Sequence, residues 1–106
     1  MSLFGLSKGK SMLEEVKECL DSPDGVLLDV RSPEEYSNGH IPGSINIPVN
    51  SIHEAGEIIK GKDAPVCVYC LSGIRAASAA AVLRGEGYTK VKNLGGIKKY
   101  HGRIER

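Results

Sequence analysis

One short segment, Cys70 to Arg75, carries the residue types best suited to chemistry in this chain. A cysteine reacts as its thiolate, but a free cysteine titrates near ~8.5 and is mostly protonated at neutral pH. Cys70 ends an apolar run and stands just before an alanine-rich stretch with high helix propensity. Because unpaired N–H groups at a helix N-terminus stabilise an anion, this position is expected to lower the pKa of the thiol. We therefore predict that Cys70 is a nucleophile.

The residues after Cys70 have the composition of an anion-binding loop. Gly73 permits the positive φ, or the close backbone approach, that a tight loop needs. Arg75 adds a permanent cation beside the loop. A ring of N–H groups there would stabilise a thiolate, a persulfide of the same charge, or a small oxyanion. The segment therefore indicates transfer of a small group through a covalent cysteine intermediate.

Helices and strands that alternate along the chain must position this loop. Short apolar runs typical of buried strands cover residues 26–30, 44–48, 66–69 and 91–94. Helix patterns begin at Ser11, Ser32 and Ser51, an alanine-rich helix runs from residue 75 or 76 to Gly85, and a short helix follows the last strand. This alternation predicts an α/β fold with a parallel sheet and helices on both faces. Ligands of such folds bind at the carboxyl ends of the strands, and Cys70 follows one of these ends.

Length and composition narrow the class of protein. The length of 106 residues fits one domain, with residues 1–10 predicted as a flexible lead-in and residues 11–106 as the folded domain. A formal net charge of +1 excludes a nucleic-acid or membrane-surface protein on bulk charge. No apolar run approaches the ~18 residues of a membrane span or forms the core of a secretory signal. We therefore expect a cytoplasmic monomer without nucleic-acid or membrane partners.

The other two cysteines are interpreted as buried apolar residues. Cys67 and Cys70 form a C-x-x-C pattern, but at this spacing on a strand their side chains would face opposite sides of the sheet. Cys19 falls on the apolar stripe of the first predicted helix. A zinc site is disfavoured because no second pair of ligands has suitable spacing.

Four motifs, met in order along the chain, resemble those of the rhodanese (sulfurtransferase) family. They are Leu-Asp-Val-Arg at 28–31 with Glu-Tyr at 35–36, Gly-His-Ile-Pro-Gly-Ser-Ile-Asn-Ile-Pro at 39–48, Cys-Leu-Ser-Gly-Ile-Arg at 70–75, and Asn-Leu-Gly-Gly at 93–96 followed by Tyr100. Together they cover about residues 12–104 of the sequence. A single motif of this kind is weak evidence, whereas four in order identify the chain as a member of that family.

The resemblance implies a single-domain sulfurtransferase on a rhodanese-like sheet of about five mainly parallel strands, with no metal or organic cofactor. Cys70 would accept a sulfane sulfur from a small donor anion such as thiosulfate or from a persulfidated protein, and would pass it to a thiol or cyanide. Asp29 and Arg31 would organise the site. The persulfide would be bound by the backbone amides of the loop: Leu71, Ser72, Gly73, Ile74 and Arg75.

Two other functions stay open on the sequence. The domain could be a non-catalytic sulfur carrier or protein-binding module that uses the same loop. It could also be a phosphatase or arsenate reductase of related fold. The active-site loops of those enzymes have the pattern Cys-x5-Arg, whereas this chain has Cys-x4-Arg. The shorter loop suits a single sulfur atom better than a tetrahedral oxyanion. A phosphatase also needs a general acid, a role that Asp29 would have to fill.

One departure from the family pattern concerns the sulfur donor. Many family members have a second basic residue in the loop, where this chain has Leu71 and Ile74. The lower positive charge favours a protein-bound persulfide over free thiosulfate as the donor. A basic cluster near the end of the chain is interpreted as a solvated face, with docking of an acidic partner or an anionic donor as the alternative. Its members are Lys98, Lys99, Arg103 and Arg106.

Overall fold

A computed structural model of the protein describes residues 9–106. Residues 1–8, most of the predicted lead-in, lie outside the described residues. The helices of the described chain are α1 (Met12–Asp21), α2 (Pro33–Asn38) and α3 (Ile74–Gly85). Its strands are β1 (Val26–Asp29), β2 (Ile45–Asn46), β3 (Val66–Cys70) and β4 (Val91–Gly96), and two 3₁₀ segments span Val49–Glu57 and Ile97–Lys99.

The strands form one parallel sheet, as the alternating pattern predicts, and their order in the sheet is β2-β1-β3-β4. Residues 9–106 contribute four strands to the sheet, where about five were expected. The end of the chain adds no strand to this sheet within the described residues. Glu105 forms an isolated antiparallel bridge with His40. Strand β3 lies between β1 and β4, and all five of its residues are buried. Its position explains the unbroken apolar run, because both faces of a central parallel strand are covered.

Helices cover both faces of the sheet, as predicted. On one face, α3 and the longer 3₁₀ segment pack over a core that includes Val68 and Cys70. On the other face, α1 packs over a core that includes Cys67 and Tyr69. The two cysteines of the C-x-x-C pattern therefore lie on opposite sides of the sheet. A disulfide between them would need β3 to be rebuilt.

N-cap serines predict two helix starts correctly and fail at a third. In α1 and α2, Ser11 and Ser32 accept hydrogen bonds from the amides three residues later, and the glutamates there bond back. The helix expected to start at Ser51 instead follows Pro48, and Ser51 lies inside the 3₁₀ segment with non-helical angles of φ −112° and ψ 15°. The Val49 amide donates to the Val30 carbonyl at 3.0 Å, so a contact with the end of β1 fixes where this segment begins. Tertiary contact overrides the local pattern.

The thiols of Cys19 and Cys67 are packed as apolar groups. Both residues are buried in the core beneath α1, and the Cys19 thiol donates to the Val26 carbonyl at 3.4 Å. The hydrogen bond with Cys19, together with burial, raises the pKa of the Cys67 thiol. Because the thiolate is the reactive form, this environment keeps Cys67 unreactive. All three cysteines are free thiols.

Residues 9–106 contain neither a membrane-spanning helix nor a cluster of metal ligands. No helix in this part of the chain has the length and apolar character needed to cross a bilayer. Within the same residues, no three His, Cys, Asp or Glu side chains are grouped as a metal site requires.

Candidate active site

Two backbone amides point at the sulfur of Cys70, the last residue of β3. The Gly73 amide lies 2.9 Å from this sulfur and the Ala76 amide 3.4 Å from it. Ala76 is the third residue of α3, where an N–H group has no acceptor within its own helix. These donors, with the positive end of the helix dipole, stabilise negative charge on the sulfur. Cys70 is only 1% exposed, so its sulfur is almost completely buried.

The loop after Cys70 is held in a conformation that favours glycine. Gly73 has φ +103°, in the left-handed region, and forms the N-cap of α3. Its carbonyl oxygen accepts a hydrogen bond from the Asn93 side-chain amide at 3.2 Å. The Asn93 side-chain oxygen in turn accepts the Gly95 amide at 2.8 Å. Strand β4 therefore fixes the loop from the neighbouring side of the sheet.

A bulge in β4 brings a second glycine beneath the loop. Val68 pairs with Asn93, but the next residue of β3 pairs with Gly95, and Cys70 pairs with Gly96. A Cβ atom at Gly96 would overlap the Leu71 carbonyl oxygen and come within 2.7 Å of the Ser72 Cα. Only a residue without a side chain fits at this position, which explains Gly96. Gly95, at the bulge, has φ +98°, in the left-handed region that favours glycine.

Replacing Gly96 with alanine is expected to move the loop and weaken the contacts to Cys70. The added methyl group meets backbone atoms, which cannot rotate away as a side chain can. Overpacking of this kind typically costs ~1–3 kcal/mol. We expect Cys70 to react with iodoacetamide at least ten times more slowly in this variant. A tenfold change in rate corresponds to ~1.4 kcal/mol of activation free energy, which lies within the range of that cost.

The matched control for this prediction is Gly61→Ala, because a Cβ atom at Gly61 meets nothing within 4 Å. Its alkylation rate and urea midpoint should stay close to those of the wild type. Equal rates for the Gly96 variant and the wild type would contradict the close-packing argument.

Arg75 is held by Glu35 of α2, forty residues earlier in the chain. Its guanidinium donates to both carboxylate oxygens, at 2.8 and 3.1 Å, in a two-point contact. The same carboxylate accepts the Ser32 amide in the capping box of α2. These contacts hold the pKa of Glu35 at about 2, well below its ordinary value of 4.5. The predicted loop cation is therefore neutralised by a partner that ties α3 to α2.

Replacing Glu35 with glutamine should make stability less dependent on pH in acid. Because its pKa is lowered in the folded state, the Glu35 carboxylate stabilises the fold fully above pH 4.5 and loses this contribution as the pH falls to about 2. Arg75 and Glu35 are 36% and 32% exposed, so the contribution is small, roughly 1 kcal/mol or less. Urea melts at pH 7, 5 and 3 should show a constant difference between wild type and variant at the first two values and a smaller one at the third. A difference that grows in acid would contradict this assignment.

Asp29 and Arg31 form a buried ion pair at the end of β1. Arg31 Nη2 lies 2.6 Å from an Asp29 carboxylate oxygen, and Arg31 also donates through Nε and its backbone amide. The guanidinium reaches the Gly39 carbonyl oxygen at 2.7 Å, and the Asn46 side chain donates to the carbonyl oxygens of Asp29 and Arg31. Neither side chain of the pair hydrogen-bonds to Cys70. The pair organises the segment from β1 to β2, which is one wall beside the site.

A cavity of about 470 Å³ opens between this wall and the loop. Its lining joins the end of β1, the start of α2, the chain after β2 and the first turn of α3: Val30, Arg31, Ser32, Pro33, Pro48, Val49, Asn50 and Arg75. Both arginines in this lining are engaged by carboxylates. The cavity therefore carries little net positive charge and has several apolar walls.

Sequence reasoning missed two residues of this arrangement, Ala76 and Glu35. The predicted amide loop ended at Arg75, yet Ala76 directs its amide to the sulfur. Of the five predicted loop amides, only that of Gly73 contacts the sulfur in the described part of the chain. The Ala76 contact could have been expected from helix geometry, because the amides of the first helical turn have no acceptor within the helix. Glu35 belongs to the capping pattern of α2 and to one of the four motifs, but neither signal indicates that its partner is Arg75, forty residues later in the chain.

The sequence that forms this site matches a known protein family. The family model of the rhodanese-like domain matches residues 12–103. The chain belongs to the rhodanese-like domain family. This confirms the resemblance and the rhodanese-like fold that the four motifs predict.

Curated relatives of this rhodanese-like domain include longer proteins. It is 42% identical over 80 residues to the uncharacterized protein YqhL of Bacillus subtilis, covering 74% of this chain and 63% of that protein. It is 36% identical over 92 residues to tRNA uridine(34) hydroxylase of Escherichia coli, covering 81% of this chain but only 26% of the enzyme. The chain thus spans less than two thirds of the length of these relatives.

Solved structures of similar length share the rhodanese-like fold. A rhodanese from E. coli superposes with a TM-score of 0.72 at 35% identity, over 76% of this chain and 96% of the other. The human single-domain sulfurtransferase TSTD1 superposes with a TM-score of 0.70 at 29% identity, over 83% of this chain and 90% of the other. The family and its neighbours therefore support chemistry of the sulfur-transfer type.

Proposed function

We propose that this rhodanese-like domain is a sulfurtransferase that carries a sulfane sulfur as a persulfide on Cys70. The observation that supports this most is the pair of amides from Gly73 and Ala76 directed at the Cys70 sulfur. An oriented N–H donor stabilises a thiolate and a persulfide anion alike, since both place one negative charge on sulfur. The named sulfurtransferase among its structural neighbours is consistent with this function.

The first step transfers one sulfur atom to Cys70. The thiolate attacks the outer sulfur of the donor, a new S–S bond forms, and the bond from that sulfur to the donor breaks with its electron pair. Thiosulfate would leave as sulfite, and a persulfide R–S–SH would leave as the thiolate R–S⁻, which takes up the proton. Charge and electrons balance in both cases, so no cofactor or external oxidant is needed.

The second step passes the sulfur to an acceptor. A thiolate or cyanide attacks the outer sulfur of the Cys70 persulfide, and Cys70 leaves as its thiolate, ready for another cycle. The amides of Gly73 and Ala76 stabilise the sulfur anion before and after each transfer. We place this reaction in the cytoplasm, where free thiols such as Cys70 are kept reduced.

Phosphate-ester hydrolysis is less well supported by the same residues. Arg75 is bound at two points by Glu35, which leaves it poorly placed to hold a phosphoryl group. Asp29 is completely buried and bonded to Arg31, so it is unavailable as a general acid for a leaving group. A pure binding module would leave the amides around Cys70 without a chemical purpose.

Intact-mass measurement tests the proposed function. The protein is incubated with thiosulfate or with cysteine persulfide, freed of excess donor, and weighed; we expect a gain of one sulfur atom that cyanide then removes as thiocyanate. No gain with either donor would overturn the proposal, and turnover of an aryl phosphate would then favour the phosphatase alternative.

A further inference from the structure

We propose, on the basis of the sulfur transfer proposed above, that the edge around Cys70 docks a partner protein that presents its persulfidated cysteine from an apolar, acidic surface. The observations are the exposed apolar side chains on the loop, the neutralised cations of the adjoining cavity, and a pair of exposed lysines at the same edge. Together they match a protein donor better than an inorganic dianion.

The loop presents an apolar surface to solvent immediately beside the candidate nucleophile. Ile74 is 76% exposed and Leu71 is 37% exposed, within four residues of Cys70. Ile74 is the first residue of α3, directly beyond the glycine whose amide contacts the sulfur. An exposed apolar patch with polar surroundings is typical of a protein interaction site.

Among residues 9–106, no unpaired cation lies within the site to attract a small dianion. Thiosulfate brings two negative charges to a sulfur that is itself anionic, so close approach requires cations near the sulfur. Arg75 is bound to Glu35, and Arg31 is bound to Asp29. A persulfide R–S–SH carries at most one negative charge, and its terminal sulfur is a single small atom. Such a donor is better suited to reach the Cys70 sulfur, which is almost completely buried.

Unpaired cations lie farther out on the same edge. Gly96 is the register neighbour of Cys70, and the chain continues from it into Lys98 and Lys99, which are exposed. Neighbouring strands lie ~4.8 Å apart and successive Cα atoms ~3.8 Å apart, so the Lys98 Cα lies within about 13 Å of the Cys70 Cα. Neither lysine forms an ion pair with the described residues, whereas Arg103 pairs with Glu105.

This arrangement matches the anatomy of a protein interface. An apolar centre around the reacting sulfur would be covered by the partner, and charges at its rim would meet opposite charges of the partner. The lysine rim selects an acidic partner, chiefly by accelerating encounter. The transfer itself balances as Cys70–S⁻ + R–S–SH → Cys70–S–S⁻ + R–SH, with R the partner protein.

Two synthetic peptides test the proposal, each with one persulfidated cysteine between leucines and with either glutamates or lysines outside them. Rates of sulfur gain on Cys70 are measured by quenched intact mass at low salt, with cysteine persulfide and thiosulfate as small donors. We expect the acidic peptide to react about tenfold faster than the basic one, and the difference to shrink with added salt. Thiosulfate should be slower than the acidic peptide.

Reversing the charges of Lys98 and Lys99 tests whether these residues cause the preference for the acidic peptide. In Lys98→Glu/Lys99→Glu the preference should invert, so that the basic peptide reacts faster. The matched control, Lys60→Glu/Lys90→Glu, makes the same change in net charge at exposed positions before β3 and β4, at the opposite edge of the sheet, and should keep the wild-type preference. Ile74→Ser should slow both peptides more than it slows cysteine persulfide.

Equal rates for the two peptides, an equal change in the Lys60/Lys90 control, or thiosulfate as the fastest donor would overturn the docking proposal. If small donors still add one sulfur to Cys70 in those cases, the proposed function stands and only the partner is wrong. If no donor adds sulfur to Cys70, the proposed function fails and the docking proposal fails with it.

Discussion

Replacing Cys70 with serine is expected to abolish the gain of a sulfur atom from any donor and to lower turnover about a thousandfold or more, as loss of a covalent nucleophile does. A serine hydroxyl can accept the same amide hydrogen bonds but forms no persulfide. The fold should tolerate the change, because the hydroxyl would meet the Gly73 and Ala76 amides that now contact the sulfur. Intact mass after incubation with cysteine persulfide and a thiocyanate assay measure the effect.

Cys67→Ala is the matched control for this variant. Cys67 lies three residues earlier on the same strand, is also buried, and faces the opposite side of the sheet in the core beneath α1. We expect this variant to gain one sulfur atom as the wild type does, with a modest loss of stability from the small cavity left behind. Loss of sulfur gain in the Cys67 variant, or its survival in the Cys70 variant, would show that the wrong thiol has been chosen.

Replacing Asp29 with alanine is expected to cost about 3–5 kcal/mol of unfolding free energy, because it leaves a buried guanidinium without its counter-charge. Asp29 is completely buried, and Arg31 is 5% exposed. Against a total stability of ~5–15 kcal/mol for a domain, this loss is large, and it should lower the Tm by roughly 10 °C or more. Urea and thermal melts measure it.

Two comparison variants test whether the expected loss of stability comes from the unpaired buried charge. In Asp29→Ala/Arg31→Met the unpaired charge is gone, so the double variant should be more stable than Asp29→Ala alone. Arg103→Ala removes a partner from a pair that is 74% and 45% exposed, and its melting curve should match the wild type. A single Asp29 variant as stable as the wild type, or a double variant less stable than the single, would contradict the assignment.

Much of the fold follows from local features of the sequence. The capping boxes at Ser11 and Ser32 involve residues three positions apart, so they can be identified without knowledge of the chain path. The apolar run of β3 likewise predicts a central strand, and its junction with α3 places Cys70 at the carboxyl edge of the sheet. The same local reasoning fails at Ser51, where the Val49 amide bonds to the Val30 carbonyl oxygen and moves the helix start.

The sequence alone therefore determined the family, the parallel α/β sheet and the candidate nucleophile, since each depends on residue types at short or fixed spacing. Tertiary structure decided what surrounds that nucleophile: Glu35 neutralises Arg75, Gly96 of a bulged strand supports the loop, and Ala76 directs its amide to the sulfur. These contacts join residues distant in sequence or depend on the path of a loop. Hydrogen bonds and close packing of that kind arise only when the strands have paired, and no local periodicity records them.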